Sequence, residues 1–330
     1  MKVCLTTFVY GEAYQAYIPF LMYSCYKAYP EYDMVIFVYK SLAKNIKKQI
    51  EKLNYSNVTI IENSFSDCPQ MTPRISQCLR WVLWDLSFLQ YDYLYIVDID
   101  MLYVREPKPL HEQHIEHMRI TGLCFDNMRR IHKRNPFKLS SIGQRIKYAG
   151  TKAILKYLFG SRIEYRATGL HFIKVSEYYS AIPQDHLSSI RKQIYSGDWL
   201  NRVMYPNDEV FLYKILENHN LHPEKMAIQS NSCKSLDFNS YLTPEFRPHH
   251  GIHLGIFRNP VPLEERISDL KILQSDAYIY YKTIVINSYF ADKEFLSILS
   301  LAPESIKNSY NRLLEYPKIR KQSQWQSQLQ

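Results

Sequence analysis

Short apolar runs rich in β-forming residues alternate with helical stretches over the first hundred residues of the chain. The alternation is regular and its connections are short, which favours an α/β fold built on a mostly parallel sheet flanked by helices. In such sheets, ligands bind beyond the carboxyl ends of the strands. The predicted strands are residues 2–9, 33–39, 58–62 and 94–97, and the predicted helices are residues 13–28, 43–53 and 72–89.

The fourth apolar run, within the sequence YDYLYIVDIDMLYV, ends in Asp98-Ile99-Asp100. Two carboxylates at i and i+2 on an extended chain point the same way, and burying them together is costly unless a positive charge lies between them. Oxygen ligands suit Mg²⁺ or Mn²⁺, which usually keep positions open for substrate phosphates. We therefore predict that Asp98 and Asp100 bind a divalent cation. The alternative is a strand that ends in a solvated acidic turn.

Composition limits the class of protein. The chain has 330 residues, of which 46% are hydrophobic and 22% are charged, so it can bury a large core and is not disordered as a whole. Its six cysteines form neither a C-x-x-C pair nor a zinc spacing, which indicates reduced thiols in a cytoplasmic setting. The first residues, MKVCLTTFVY, lack the features of a signal peptide, and no run of 18 apolar residues predicts a transmembrane helix.

The net charge of +9 is concentrated in one stretch, residues 129–166, in which a helix is predicted at 140–159. This stretch fits an anionic membrane surface, an acceptor that bears phosphate or another acid, or a solvated helix face. Nucleic acid is disfavoured, because the aromatic residues are not spaced as a stacking platform. The stretch has one acid, Glu164, and eleven basic residues: Arg129, Arg130, Lys133, Arg134, Lys138, Arg145, Lys147, Lys152, Lys156, Arg162 and Arg166.

The order of several short motifs resembles that of GT-A glycosyltransferases, most of all the glycogenin-like family 8 group and its bacterial surface-polysaccharide relatives. The resemblance covers roughly residues 1–260. Two motifs depart from the family pattern. This chain has D-E where the family has D-Q, and its late segment ends in an arginine where the family has H-x-x-G-x-x-K. The motifs are Tyr95-Ile-Val-Asp98-Ile-Asp100, Ala167-Thr168-Gly169-Leu170, Asn207-Asp208-Glu209 and His253-Leu-Gly255-Ile-Phe-Arg258.

The resemblance implies roles for the late segment and for the loop after the first strand. By approximate position, His253 would be the third metal ligand and Arg258 a phosphate contact, with His250 as a rival to His253. An imidazole is acceptable to Mn²⁺ beside two carboxylates. The base and ribose of the donor would bind at Thr6, Thr7 and Tyr10.

Four further charged residues are candidates from their own chemistry. Arg74 and Arg80 could approach a diphosphate or form ion pairs on a helix surface. Asp208 or Glu209 could bind the acceptor, take its proton or stabilise positive charge on the sugar ring. Acids are also common at the start of a helix, where the dipole favours them. The glutamate in place of the family's glutamine leaves retention or inversion of configuration open.

The resemblance as a whole implies a cytoplasmic enzyme that transfers a hexose from a UDP-sugar to a glycan or lipid-linked acceptor. The expected cofactor is Mn²⁺ or Mg²⁺, and the expected setting is bacterial surface polysaccharide synthesis at the inner face of the membrane. We expect a GT-A catalytic domain at 1–290, with a basic helical insertion at 129–166, and a C-terminal helical extension at 291–330. The rivals are a sugar nucleotidyltransferase, disfavoured because TTFVYGEAY has one glycine, and a basic binding module without catalysis.

Overall fold

Strands and helices alternate through the first hundred residues, as the sequence predicts. The computed structural model describes residues 1–133, 163–197, 208–229, 251–258, 265–266, 273 and 275–315. The elements of the first part are, in chain order, β1 Val3–Val9, α1 Glu12–Gln15, α2 Ile18–Ala28, β2 Asp33–Val38, α3 Lys44–Leu53, β3 Val58–Ile61, α4 Pro73–Leu79, β4 Tyr93–Ile96, β5 Met101–Leu102 and α5 Leu110–Thr121.

Shorter strands and a helical C-terminal part follow. These elements are β6 Phe125–Asp126, β7 Arg129–Lys133, β8 Ile163–Arg166, β9 His171–Lys174, α6 Val175–Ala181, α7 Gln184–Ser196, α8 Asp208–Asn218, β10 Ile228–Gln229, β11 Ile252–His253, α9 Gly255–Arg258, α10 Asp276–Ile284, α11 Lys293–Leu301 and α12 Glu304–Glu315.

The main sheet has six strands in the order β3-β2-β1-β4-β9-β6. Strands β3, β2, β1 and β4 are parallel to one another, and β9 runs antiparallel to both β4 and β6. The expected fold class, a mostly parallel α/β sheet flanked by helices, is confirmed. The carboxyl ends of β1, β2 and β4 meet at one edge of this sheet.

Side-chain alternation along β1 divides the core between the two faces of the sheet. Val3 and Leu5 face a cluster that also contains α2 and the C-terminal helices. Cys4 and Phe8 face the opposite cluster, to which residues around α4 and α8 contribute. Both faces are covered, as the nearly continuous apolar sequence of a parallel strand requires.

Three predicted elements differ in the structure. The helix expected at 72–89 ends at Leu79 and continues as a tight 3₁₀ turn at Arg80–Val82, followed by a second 3₁₀ turn at Leu86–Gln90. The helix expected at 13–28 is two helices, α1 and α2, and a proline occupies the start of α2. The loop expected at 249–258 contains β11 and α9 within its described part, residues 251–258.

The segment 129–166, expected to be a helical insertion, begins and ends in strands. Here β7 and β8 pair antiparallel, with Arg130 opposite Arg166, and β10 lies alongside β7. The strands at the two ends of this segment were not predicted from the sequence. Residues 134–162, with the helix predicted at 140–159, lie outside the described residues.

The helices α11 and α12 lie in the expected C-terminal extension, and they pack into the main core. Phe20 of α2 contacts the rings of Phe295 and Tyr310, with centroid distances of 5.8 and 5.1 Å. Arg312 Nη1 donates a hydrogen bond to the carbonyl oxygen of Phe257 at 3.1 Å. The extension therefore supports the segment 251–258, while the domain boundary near residue 290 stays a prediction.

None of the helices in the described ranges is both long and apolar enough to cross a lipid bilayer.

A fully buried histidine in β9 makes stability depend on pH. Burial lowers the pKa of His171 to about 3, and its Nδ1 lies 3.2 Å from the side-chain nitrogen of Asn127. The unfolded chain therefore binds one more proton than the native protein at mildly acidic pH. The free energy of unfolding contributed by this residue falls as the pH falls below its ordinary pKa of 6.5.

We predict that His171→Leu reduces this acid sensitivity. Between pH 6.0 and 4.5, the variant should lose about 2 kcal/mol less unfolding free energy than the wild type, because the full slope is roughly 1.4 kcal/mol per pH unit for one proton. Urea denaturation at the two pH values measures the difference. The control is His186→Leu at an exposed position of α7, which should follow the wild type. Equal losses in wild type and His171→Leu would contradict the prediction.

Candidate active site

A cavity of about 390 Å³ lies beyond the carboxyl ends of β1 and β4. This is the edge at which open parallel sheets bind ligands. Both acids of the D-x-D motif line the cavity, as do an imidazole and two guanidinium groups. The lining residues are Thr7, Phe8, Tyr10, Gly11, Tyr14, Pro73, Ser76, Gln77, Arg80, Val97, Asp98, Ile99, Asp100, His253 and Arg258.

Arg80 joins two acids that are distant in the sequence. Its guanidinium donates to the carboxylate of Asp98 and, through Nη2, to Asp208 Oδ2 at 2.5 Å. The group is nearly buried and stacks on the ring of Trp81, 4.1 Å from the ring centroid. The tight turn after α4 places it there, and Thr72 begins that helix by accepting a hydrogen bond from Ile75 N.

Asp100 has a different pair of partners. His253 Nε2 lies 3.1 Å from Asp100 Oδ1, and Arg258 Nη2 donates to Asp100 Oδ2 at 2.5 Å. The pairing of β11 with β5 sets this arrangement, because His253 stands opposite Met101 in the register. The guanidinium of Arg258 also lies over the rings of Tyr14 and Tyr17, 5.1 and 5.4 Å from their centroids.

The pKa values of the two acids of the motif shift in opposite directions. Burial raises the pKa of Asp98, and the positive charges of Arg80 and His253 only partly offset it. Burial also acts to raise the pKa of Asp100, but His253 and Arg258 outweigh it and lower the pKa to about 2. Burial acts to lower the pKa of His253, but the carboxylates of Asp100 and Asp98 have a larger opposite effect. The pKa of His253 is therefore raised to about 9. The imidazole is therefore protonated at neutral pH in the absence of a metal.

The absence of a side chain at Gly169 leaves space beside both Asp98 and Glu209. A Cβ at this position would lie 3.2 Å from Asp98 Oδ2 and 3.7 Å from Glu209 Oε1. Glu209 is held by two arginines, with Arg130 Nη1 at 3.2 Å and Arg166 Nη1 at 3.2 Å from its carboxylate oxygens. Neither Glu209 nor Gly169 lines the cavity, but Glu209 lies close to Asp98 and Arg80, which do, at the face of Gly169 that carries no side chain.

Asn127 holds the turn that contains Gly169, and the sequence analysis did not identify it. Its Oδ1 accepts from Thr168 N and Thr168 Oγ1, both at 2.7 Å, and its Nδ2 donates to Leu170 O at 2.9 Å. The side chain is buried, so these hydrogen bonds are not exchanged with water. No sequence motif marked this residue, because its partners lie more than forty positions away.

A second cavity, of about 420 Å³, adjoins the first beside Tyr10 and Gly11. Gly11 has φ 84° and begins α1, so it allows the chain to turn sharply between the two cavities. The Tyr10 ring packs edge-on against Tyr39, and its hydroxyl donates to Met71 O at 3.2 Å. The residues that line the second cavity are Tyr10, Gly11, Glu12, Gln15, Tyr39, Lys40, Ser41 and Met71.

The remaining predicted residues divide into those near the cavity and those away from it. Thr7 lines the cavity, but its hydroxyl donates to Val97 O at 2.8 Å. Thr6 is buried and donates to Val35 O, so the structure gives it a contact within the sheet and no place in the cavity. Arg74 is not among the lining residues. His250 lies outside the described residues.

The donor chemistry at this edge fits a divalent cation. Asp98, Asp100 and His253 supply two carboxylates and one imidazole, a set that suits Mn²⁺. The missing side chain at Gly255 leaves room between two of them, because a Cβ there would lie 2.9 Å from both Asp100 Oδ2 and His253 Nε2. In the described part of the chain, these acids are paired with arginines, and no three His, Cys, Asp or Glu side chains are gathered as a preformed metal site.

Comparisons with known proteins give structural likenesses alone. No family model matches the sequence, and no curated protein matches it. One similar structure is the galactosyltransferase LgtC in complex with donor and acceptor sugar analogs, at 14% identity and TM-score 0.37, over 67% of this chain and 70% of that one. Another is the mannosyltransferase Ktr4p from S. cerevisiae in complex with GDP, at 10% identity and TM-score 0.39, over 64% and 66%.

A third similar structure is core-mannan synthase A from Aspergillus fumigatus in its Mn/GDP form, at 10% identity and TM-score 0.38, over 65% of this chain and 69% of that one. The TM-scores are below 0.5, so the functional conclusion below does not rest on these likenesses. It rests on the geometry of the site.

We predict that Arg80→Gln destabilises the protein by about 3–5 kcal/mol, because it leaves the carboxylates of Asp98 and Asp208 without their shared counter-charge. Urea denaturation measures the loss. The control is Arg119→Gln at an exposed position of α5, which should cost less than about 1 kcal/mol. If the two variants were equally stable, Arg80 would not be the structural bridge described above.

We predict that Gly255→Ala weakens Mn²⁺ binding by about 10- to 100-fold, because the new methyl group would displace Asp100 and His253. Isothermal titration with MnCl₂ measures the affinity, and a melting curve checks the fold. Gly169→Ala provides a graded comparison with a smaller loss, because its methyl group would meet only Asp98 Oδ2 among metal donors, at 3.2 Å. Unchanged Mn²⁺ affinity in Gly255→Ala would place the cation elsewhere.

Proposed function

We propose that this protein is a metal-dependent glycosyltransferase that uses a nucleoside diphosphate sugar. One observation carries the proposal: Asp98, Asp100, His253, Arg80 and Arg258 converge on a single cavity at the carboxyl edge of a parallel sheet. Sugar transfer from a nucleotide requires positive charge at the departing diphosphate and acids near the sugar. The site contains both within a few ångströms of one another.

The two cavities suit a donor of this length. The diphosphate would bind in the first cavity, where Arg258 and Arg80 could donate charge-assisted hydrogen bonds to its oxygens. The nucleoside would extend past Tyr10 towards the second cavity, where this ring and Tyr39 offer aromatic surface. The cation, when bound by Asp98, Asp100 and His253, would supply Lewis-acid stabilisation of the leaving diphosphate.

Binding of a donor requires the ion pairs of the site to exchange partners. Arg258 now donates to Asp100, and Arg80 donates to Asp98. Both guanidinium groups carry further N–H donors, so they can turn towards phosphate oxygens as the carboxylates turn towards a cation. His253 must lose its proton to become a ligand, since a protonated imidazole has no free lone pair.

In this proposal, the acids of α8 would act on the acceptor and the sugar. Asp208 is held by Arg80, and Glu209 is held by Arg130 and Arg166. Burial raises the pKa of Glu209, and the two arginines lower it only in part. A carboxylate with a raised pKa is suited to accept the acceptor's hydroxyl proton, so Glu209 would be the base, and Asp208 would stabilise positive charge on the sugar ring.

The finer details of this proposal come from the resemblance of the sequence motifs. We propose a UDP-hexose as donor, Mn²⁺ or Mg²⁺ as cofactor, and a glycan or lipid-linked acceptor. The setting would be bacterial surface polysaccharide synthesis, at the cytoplasmic face of a membrane that the basic segment 129–166 contacts. Retention of configuration is proposed on the same basis.

A sugar nucleotidyltransferase is the second candidate. It shares the sheet and the paired acids, but usually needs a glycine-rich phosphate loop after the first strand. Here the turn after β1 contains one glycine, Gly11. The nucleotide product decides between them, because glycosyl transfer releases a nucleoside diphosphate and nucleotidyl transfer consumes or releases pyrophosphate. A non-enzymatic basic binding module would release neither.

We predict that Asp98→Asn and Asp100→Asn each lower the kcat/KM of metal-dependent sugar transfer roughly 1000-fold. This corresponds to an increase of about 4 kcal/mol in the activation free energy, because charge on the leaving diphosphate is no longer neutralised. The assay measures UDP or GDP released from a panel of nucleotide sugars with Mn²⁺. The control is Asp92→Asn, at an exposed acid before β4 that accepts a hydrogen bond from Lys2 N.

The control should keep wild-type activity, and all three variants should retain a cooperative melting transition. Full transfer activity in Asp98→Asn or Asp100→Asn would refute the metal role. Release of pyrophosphate in place of a nucleoside diphosphate would favour the nucleotidyltransferase.

A further inference from the structure

The short helix α9 carries Arg258, one of the two guanidinium groups in the first cavity. The carbonyl groups in the last turn of a helix need partners from outside the helix. Two arginines supply them here. Arg312 Nη1 of α12 donates to Phe257 O at 3.1 Å, and Arg266 Nη1 donates to Ile256 O at 2.7 Å. Positive charge near these carbonyl groups is favourable, because the helix dipole places negative charge at this end.

Apolar packing fixes α9 from the same direction. Phe257 is 1% exposed, and its ring faces that of Tyr278 in α10 with a centroid distance of 6.5 Å. Leu254, just before α9, is fully buried, and its carbonyl oxygen accepts from Phe257 N at 3.0 Å. These residues belong to the cluster that contains α2 and the C-terminal helices. The backbone of α9 therefore follows the position of the C-terminal helices.

Helix α12 also lies beside the aromatic surface that contacts Arg258. The guanidinium group lies over the rings of Tyr14 and Tyr17, 5.1 and 5.4 Å from their centroids. Tyr17 is buried, which raises the pKa of its phenol, and the side chain of Ser309 in α12 is among the groups that partly offset this effect. The Tyr17 hydroxyl therefore lies next to α12. This helix reaches Arg258 by two routes, one through the backbone of α9 and one through Tyr17.

The place of the Arg258 backbone decides what its guanidinium group can bind. A guanidinium group binds phosphate oxygens through N–H groups in a fixed planar arrangement, so a shift of about 1 Å in its attachment weakens that contact. Arg258 donates to Asp100 Oδ2 at 2.5 Å, and it would turn from this carboxylate to the diphosphate when a donor binds. A fixed backbone confines this change to the side chain.

We propose that Arg312 and Arg266 are positioning residues for Arg258, so that binding of a nucleoside diphosphate depends on the docking of α12 against α9. The inference rests on the proposed function, because that function is what gives Arg258 a diphosphate to bind. Neither Arg312 nor Arg266 lines the first or the second cavity. Each therefore acts through the backbone of α9, by the hydrogen bonds to Phe257 and Ile256.

A double-mutant cycle on nucleotide affinity tests the inference. UDP and GDP are titrated calorimetrically, in saturating MnCl₂, into the full-length wild type, Arg312→Met, Arg258→Met and the double variant. We expect Arg312→Met to weaken binding about tenfold in the wild-type background. In the Arg258→Met background the same change should weaken binding less than about twofold. A merely structural role would give equal losses in the two backgrounds, and that result would overturn the inference.

Three further variants are matched to this cycle. Lys307→Met removes the same charge from the same helix, at a residue that lines a groove with Leu296 and Leu299 of α11, and affinity should stay within about twofold of the wild type. Arg312→Lys keeps a charged donor and should recover part of the lost affinity. Arg266→Met should weaken binding in the same direction as Arg312→Met. Unchanged affinity in either methionine variant of these two arginines removes that residue from the proposal, and an equal loss in Lys307→Met overturns it.

Hydrogen exchange in the ligand-free protein gives a second readout that needs no donor. Arg312→Met should speed exchange of the backbone amides at residues 254–258, and leave that of β1 unchanged, because α9 loses a contact that holds it. Unchanged exchange at these residues would overturn the inference, and this readout also decides the case if Arg258→Met binds nucleotide too weakly to be measured.

The proposed function fails by a different result. If the wild type binds neither UDP nor GDP in the presence of MnCl₂, the donor assignment is wrong whatever α12 does. Faster exchange at residues 254–258 in Arg312→Met would then still support the control of α9 by α12. Nucleotide binding to the wild type that is equally strong in Arg312→Met and Arg266→Met would instead leave the donor assignment intact and refute the positioning role.

Discussion

The shared counter-charge of Arg80 is the interaction on which the carboxyl edge of the sheet depends. Asp98 follows β4 and Asp208 begins α8, and one buried guanidinium bonds to both. Without it, two acids would lie in a poorly solvated position with no cation, at a cost of several kcal/mol. The same principle repeats on either side, where Arg258 and His253 hold Asp100, and two further arginines hold Glu209.

This arrangement makes the site a set of exchangeable ion pairs. Four acids face four arginines and one protonated imidazole across a short distance. A divalent cation and a diphosphate bring nearly balancing charges, so their binding redistributes contacts without adding a large net charge. If the proposed function is correct, a cation and a nucleotide would bind here by exchange of these ion pairs.

The parts of the site that depend on local sequence could be predicted, and those that depend on distant contacts could not. The strands and the placement of Asp98 and Asp100 follow from alternation and from an apolar run that ends in acids. The place of Arg80 depends on the end of α4 at Leu79, where tertiary packing tightens a helix that the sequence pattern would extend. Asn127 holds the Gly169 turn through contacts to residues far along the chain, and no local pattern reports such contacts.

The basic segment shows the same limit in another form. Its charge is evident from the sequence, but the strands at its two ends could not be predicted. Short strands such as β8 form mainly through pairing with neighbouring strands and depend little on their own residues. Pairing of β7 with β8 is what places Arg130 against Arg166. Composition thus indicated the positive charge of this segment, and only the strand register shows which two of its arginines meet Glu209.

Anomalous diffraction at the manganese edge, from crystals grown with MnCl₂ and UDP, tests the central claim most directly. We predict one strong manganese peak within bonding distance of the carboxylates of Asp98 and Asp100 and of the imidazole of His253, with Arg258 turned towards the diphosphate. A density map with UDP bound, no manganese peak at these residues, and the contacts of Arg80 with Asp98 and of Arg258 with Asp100 intact would contradict it.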